Sequence, residues 1–177
     1  MLKKPWFVVI LCLLIVIGST LYHVHKDLDP QCAQFKNIFT CPGGIAEQLN
    51  LVCSASNGIV KLAEKYGVDE FDTFNTDDIC TSLRLSIGDA EASELASLYR
   101  MLIASTDDLR NSLRLKELSA ADAKLFSDFD AEYLTAQRTI SESAYNTSVD
   151  NYLNKDLRTF SRFFARLCGV KLPTKFA

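Results

Sequence analysis

Beyond position 42, apolar side chains recur every three or four residues, the spacing of a helix that turns one face to a core. Ile45, Leu49, Val52, Cys53, Val60, Leu62, Ala63 and Tyr66 predict a first helix. It opens after the Pro42-Gly43-Gly44 break, is open to disturbance at Asn57-Gly58, and ends at Gly67. Val68–Asn75 reads as an acidic, aromatic loop. Thr76, followed by Asp77 and Asp78, then caps a short helix carrying Ile79, Cys80, Leu83 and Ile87 and closed by Gly88. A long helix is expected from about Ala90 to Lys116, with a kink at Ser105-Thr106. Ser119–Asp122 starts another, whose apolar positions include Phe126, Tyr133, Leu134 and Ile140. A break near Asn146–Ser148 leads to a last helix ended by Gly169 and Pro173. No segment alternates as a half-buried strand would. The expected fold is all-α: a disulfide-stabilised bundle of about four main helices plus a short one, preceded by an apolar leader helix.

That leader is Trp6–Tyr22, apolar and uncharged, preceded by Lys3 and Lys4. Basic start, apolar middle and the small residues Gly18, Ser19 and Thr20 fit a cleaved signal peptide. A spanning helix needs about 20 apolar residues, about 17 at the least, so an uncleaved anchor is the alternative. In both readings the lysines stay on the cytoplasmic side and the rest of the chain lies outside it. The chain therefore divides into a signal peptide or signal-anchor over 1–22, a strap over 23–41 containing Pro30, and a helical bundle domain over 42–177. It is expected to be secreted or extracellular, or else single-pass and anchored with its C-terminal domain outside.

An oxidising compartment changes the reading of the cysteines. Cys32, Cys41, Cys53, Cys80 and Cys168 are the disulfide candidates, and Cys12 lies in the leader. The favoured arrangement joins Cys53 to Cys80, with Cys32 or Cys41 fastening the strap. No C-x₂-C spacing is present, so zinc is not expected.

His23 and His25 are the only histidines, and both precede the bundle. This argues against triad catalysis and against histidine-ligated metals in the folded part. Acid–base work by carboxylates stays open, but no spacing singles out a pair. The acidic cluster at Asp69, Glu70, Asp72, Asp77 and Asp78 lacks the glycine and the alternation of a calcium loop. No catalytic residue, cofactor or metal site is expected. Asn146-Thr147-Ser148 is the one glycosylation sequon, at a break where the backbone should be exposed.

Charge is divided unevenly. Pro30–Asn154 holds ten basic against nineteen acidic side chains, whereas Lys155–Ala177 holds six basic against Asp156 alone. Arg158, Arg162 and Arg166 are spaced by four, which puts them on one face as candidates for docking an acidic partner or an anionic membrane. The bland alternative is that they pair within their own bundle. Nucleic acid is not an expected partner of an acidic domain outside the cytosol. The functional expectation is a non-catalytic extracellular or lumenal binding protein with a protein partner. It touches membrane only through the N-terminal segment, if that is uncleaved. The alternatives are a carrier of lipid or another small hydrophobe, with a cavity in the bundle, and a hydrolase using carboxylates only.

Overall fold

Amphipathic helices need a partner surface, and a computed structural model shows how these helices find theirs. It describes residues 5–68, 70–157, 159–167 and 169–176. Among the described residues every regular element is a helix and none is a strand: α1 (Pro5–Thr40), α2 (Ile45–Lys65), α3 (Glu70–Ser86), α4 (Ala92–Arg114), α5 (Ala120–Ser141), α6 (Tyr145–Asn151), a π turn (Tyr152–Asp156) and α7 (Thr159–Leu167). The chain divides into two units. One comprises Met1–Asn37 and Thr147–Pro173, and the other Ile38–Asn146 and Thr174–Ala177.

In the second unit α2 is the central element, packed by α3, α4 and α5. Its apolar stripe explains this. Leu49, Val52, Ala55, Ile59 and Ala63 are fully buried, with Leu102, Leu109 and Leu113 from α4 and Tyr133 from α5. Each such leucine contributes about 1.5–3 kcal/mol by leaving water. Asn57-Gly58 does not interrupt α2. An alanine Cβ at position 58 would stand 2.7 Å from the Phe129 ring, so the missing side chain is the seat of that ring. Gly67, at φ +62°, ends α2, and Val68 N–H returns to Ala63 O at 2.9 Å. That left-handed cap costs glycine nothing.

The first unit has its own core, formed by Leu28, Tyr152, Leu157, Ala165 and Val170. Cys32, Phe35, Leu153 and Leu172 pack against it. Gly169, at φ +70°, closes α7 as Gly67 closes α2, with Val170 N–H bonded to Ala165 O at 3.0 Å.

Several element boundaries differ from those expected. The strap over 23–41 is helix as far as Thr40, the second half of α1, and Pro30 lies inside it. Pro30 removes one donor, but Leu28, Cys32, Phe35 and Phe39 still follow helical spacing, and Leu28 and Phe39 are buried. α3 begins at Glu70, so Thr76 is a buried mid-helix residue and not a cap. α4 runs unbroken from Ala92 to Arg114 through Ser105-Thr106. The break before the last segment falls at 142–144, and the expected last helix is split into α6, the π turn and α7. Among the described residues no disulfide is formed; Cys12, Cys32, Cys41, Cys53 and Cys80 are all thiols.

Candidate functional site

Buried polar groups are where function or specificity shows, because each must find a partner. Polar ties between described side chains join the helices of the second unit. Thr106 Oγ1 donates to Ser56 Oγ at 3.0 Å, linking α4 to α2. The hydroxyls of Thr76 and Ser105 meet at 2.5 Å, linking α3 to α4. Arg110, on α4, lies over the Tyr133 ring of α5 at 4.9 Å, donates to Asp107 Oδ1 at 2.5 Å, and bonds Asp130 on α5. Tyr133 Oη donates to Asp107 Oδ1 at 3.2 Å, and burial pushes the phenol's pKa far up.

Another tie is centred on Asp122, in the first turn of α5. Its carboxylate accepts from Lys65 Nζ at 2.8 Å, from Tyr66 Oη at 2.6 Å and from Ser119 Oγ at 2.6 Å. The Lys65 ammonium first, then the Ser119 and Tyr66 hydroxyls, hold its pKa well below the usual carboxylate range. Ser119 Oγ also accepts from Asp122 N–H, the cap the sequence indicates. These carboxylates are turned toward cations and donors. A general acid needs surroundings that favour its neutral form, so the arrangement suits structure better than hydrolysis.

The most constructed site lies around Asn146. Its Nδ2 donates to Phe176 O at 2.9 Å, and Phe176 N–H donates to its Oδ1 at 2.7 Å. One carboxamide thus satisfies both backbone groups of a single residue. Tyr145 Oη donates to Thr174 O at 3.1 Å, and Ser93 N–H donates to Thr174 Oγ1 at 3.3 Å. The buried Phe176 ring stands 5.8 Å from Phe39 and 5.5 Å from Tyr99. Burial, with a smaller contribution from Asp107, pushes the Tyr99 pKa up to about 12. The extended tail is therefore read by its backbone and held by an aromatic cage. The glycosylation candidate Asn146 is the clasp itself, half-buried at the start of α6.

The cysteine candidates fall in different places. Cys53 and Cys80 are fully buried and adjacent, each Sγ 3.8 Å from the other's carbonyl oxygen. The hydrogen bond from Cys53, together with burial, raises the Cys80 pKa. Cys32 belongs to the first unit, where burial raises its pKa despite a hydrogen bond with Tyr152. Cys41 is exposed beyond the end of α1, and Cys168 lies outside the described residues. Of the arginine candidates, Arg158 also lies outside them, Arg162 Nη2 donates to Asn154 Oδ1 at 3.4 Å, and Arg166 is exposed. Among the described residues no three His, Cys, Asp or Glu side chains gather to hold a metal. His25 Nδ1 lies 3.3 Å from Asp29 on the exposed surface of α1.

The Asn146 clasp had no sequence signature, since its partner is thirty residues away and polar pairing has no period. No protein-family model, curated protein or solved structure matches this chain.

Proposed function

We propose that this chain is a non-catalytic interaction protein held on a membrane by the apolar half of α1, with the chain beyond that stretch on the non-cytosolic side. The observation that carries the reading is the apolar half of α1. Every residue from Val8 to Ser19 is exposed, and none of the most apolar window is buried. Twelve consecutive exposed, mostly apolar residues would be costly in water and favourable in lipid. Trp6 and Tyr22 lie near the two ends of the stretch, within reach of the interface that amphipathic rings prefer. The helix continues from this stretch to Leu28, which is buried in the first unit's core. This continuity favours an uncleaved anchor over a removed leader.

The partner is a protein, and the outer face of α3 supports that choice. Phe74 and Leu85 are 73% and 78% exposed and share a face with Asp78. Large exposed apolar groups beside acids suit a partner with an apolar and basic patch. In a non-cytosolic compartment Cys53 and Cys80 would close a disulfide between α2 and α3. Each thiol would lose a proton and an electron to a disulfide oxidant, itself reduced to two thiols.

The test expresses the full chain in sealed membranes. The expected result is resistance to alkaline extraction, an intact N-terminus by mass, and units protected from external protease. Photo-crosslinkers at positions 74 and 85 should then capture a protein partner that a crosslinker at Lys116 does not. A soluble chain beginning at or after Gly18 would overturn the anchor. Equal capture from all three positions would overturn the partner face.

A further inference from the structure

We infer that α7 is an interfacial helix that lies in the headgroup layer of the same bilayer that α1 crosses. The inference rests on the anchor reading above and adds a second contact with the membrane. On α7, Phe163, Arg166 and Leu167 share one helix face by their three- and four-residue spacing. Phe163 and Leu167 are 60% and 61% exposed, and Arg166 is exposed beside them. Ala165, on the opposite side, is fully buried in the first unit's core. Among the described side chains of α7, an alanine is buried while a phenylalanine and a leucine are exposed, an arrangement suited to an interface.

Height along α1 gives the occupant. The hydrocarbon core is about 30 Å thick, which takes about 20 helical residues. Counted from Trp6, such a span ends near His25. Leu28 then lies about 4.5 Å further on, inside a headgroup layer about 5–7 Å deep. Leu28 and Ala165 belong to one core cluster, so α7 is built into the first unit at that level. Charge agrees with the placement. Beyond the anchor, the first unit carries seven Lys/Arg against four Asp/Glu, and the second unit ten against eighteen. The unit that contains the anchor is the one attracted to lipid phosphates. The face that carries the inference is Phe163/Arg166/Leu167, and it replaces the Arg158/Arg162/Arg166 stripe suggested by spacing alone.

The single tryptophan makes the test direct. Full-length protein is placed in nanodiscs whose lipids carry a nitroxide close to the headgroup. Wild type reports Trp6, and Trp6→Phe/Phe163→Trp and Trp6→Phe/Leu167→Trp report α7. The expected result is that both α7 tryptophans lose most of their emission to the nitroxide and are shielded from aqueous iodide. Adding Arg166→Glu should reverse much of that loss in anionic discs. Quenching of Trp6 with iodide-accessible, nitroxide-insensitive tryptophans at 163 and 167 overturns the inference and leaves the anchor standing. Absence of nitroxide quenching at Trp6 overturns the anchor, and the inference with it. Two reporter positions guard against one variant that fails to fold, which circular dichroism reveals.

Discussion

Gly58 makes the packing of α2 against α5 testable by the sign of an energy. In a solvent-facing helix, Gly→Ala stabilises by about 1 kcal/mol. Here the new Cβ would stand 2.7 Å from three atoms of the Phe129 ring, closer than real Cβ contacts come. Overpacking of that kind costs about 1–3 kcal/mol. The ring is half-buried and can yield somewhat, so the net expectation is a loss of about 1 kcal/mol, or about 2–4 °C in Tm for a chain of this size. Removing the ring should change the sign. Phe129→Ala alone costs about 2 kcal/mol, less than a fully buried phenylalanine. On that background Gly58→Ala should recover about 1 kcal/mol, giving a coupling of about 2 kcal/mol between the two positions. Urea unfolding followed by far-UV circular dichroism, in mild detergent, measures all four proteins. Equal stabilisation by Gly58→Ala in both backgrounds would refute the argument, because propensity would then be acting without contact.

Asp122 has a depressed folded pKa, so its contribution is complete above the ordinary value of 3.8 and is lost as pH falls through the folded value. Asp122→Asn should therefore flatten the acid limb of Tm against pH below about 4; an unchanged limb would place the acid sensitivity elsewhere. Mass mapping after rapid alkylation should find Cys53 joined to Cys80 in protein from an oxidising compartment, and recovery of both as alkylated thiols would refute the bridge. A glycan on Asn146 and the tail clasp both need Nδ2, so Phe176→Ala, which loosens the tail, should raise glycan occupancy in a glycosylating host. Equal occupancy by intact mass would show that the clasp does not compete.

Most helix positions could be read because burial imposes a period. Leu49, Val52, Ile59 and Ala63 on α2, and Leu95, Leu102, Leu109 and Leu113 on α4, are apolar in sequence and buried in the structure. The local ends were readable where a side chain or a φ value acts within a few residues, as at Ser119 and Gly67. What could not be read depends on distant partners. Pro30 suggests a break, yet the stripe that continues through Leu28, Cys32 and Phe35 finds a core, and tertiary packing prevails over propensity. Thr76 followed by two acids is a good cap sequence. In the structure its hydroxyl bonds Asp72 O at 2.8 Å and meets Ser105 across to α4. A capping hydroxyl and an interhelical one look alike in sequence. Leu134 followed the helical pattern but is 46% exposed, since the face of α5 that packs is set by Tyr133, Ala136 and Ile140.

Charge division ties these observations to the proposed role. Within the second unit the acids are of two kinds. Asp107, Asp122 and Asp130 are held by Arg110, Lys65 and their neighbours, so they contribute fold specificity and little outward field. Asp77 and Asp78 lie exposed on α3, beside Phe74, and their field reaches solvent. In the first unit, Lys155, Arg166 and Lys171 are exposed. In each unit, exposed apolar groups stand beside exposed charges: Arg166 in the first unit, and Asp77 and Asp78 in the second. Under the proposed role, Arg166 beside Phe163 and Leu167 would favour phosphate, and the acids beside Phe74 and Leu85 would favour a basic protein surface. Salt should weaken both contacts by screening, but anionic lipid should strengthen only the first. On the proposed reading, the membrane contact and the protein contact draw on different charges, so charge reversal at Arg166 should leave capture at positions 74 and 85 unchanged.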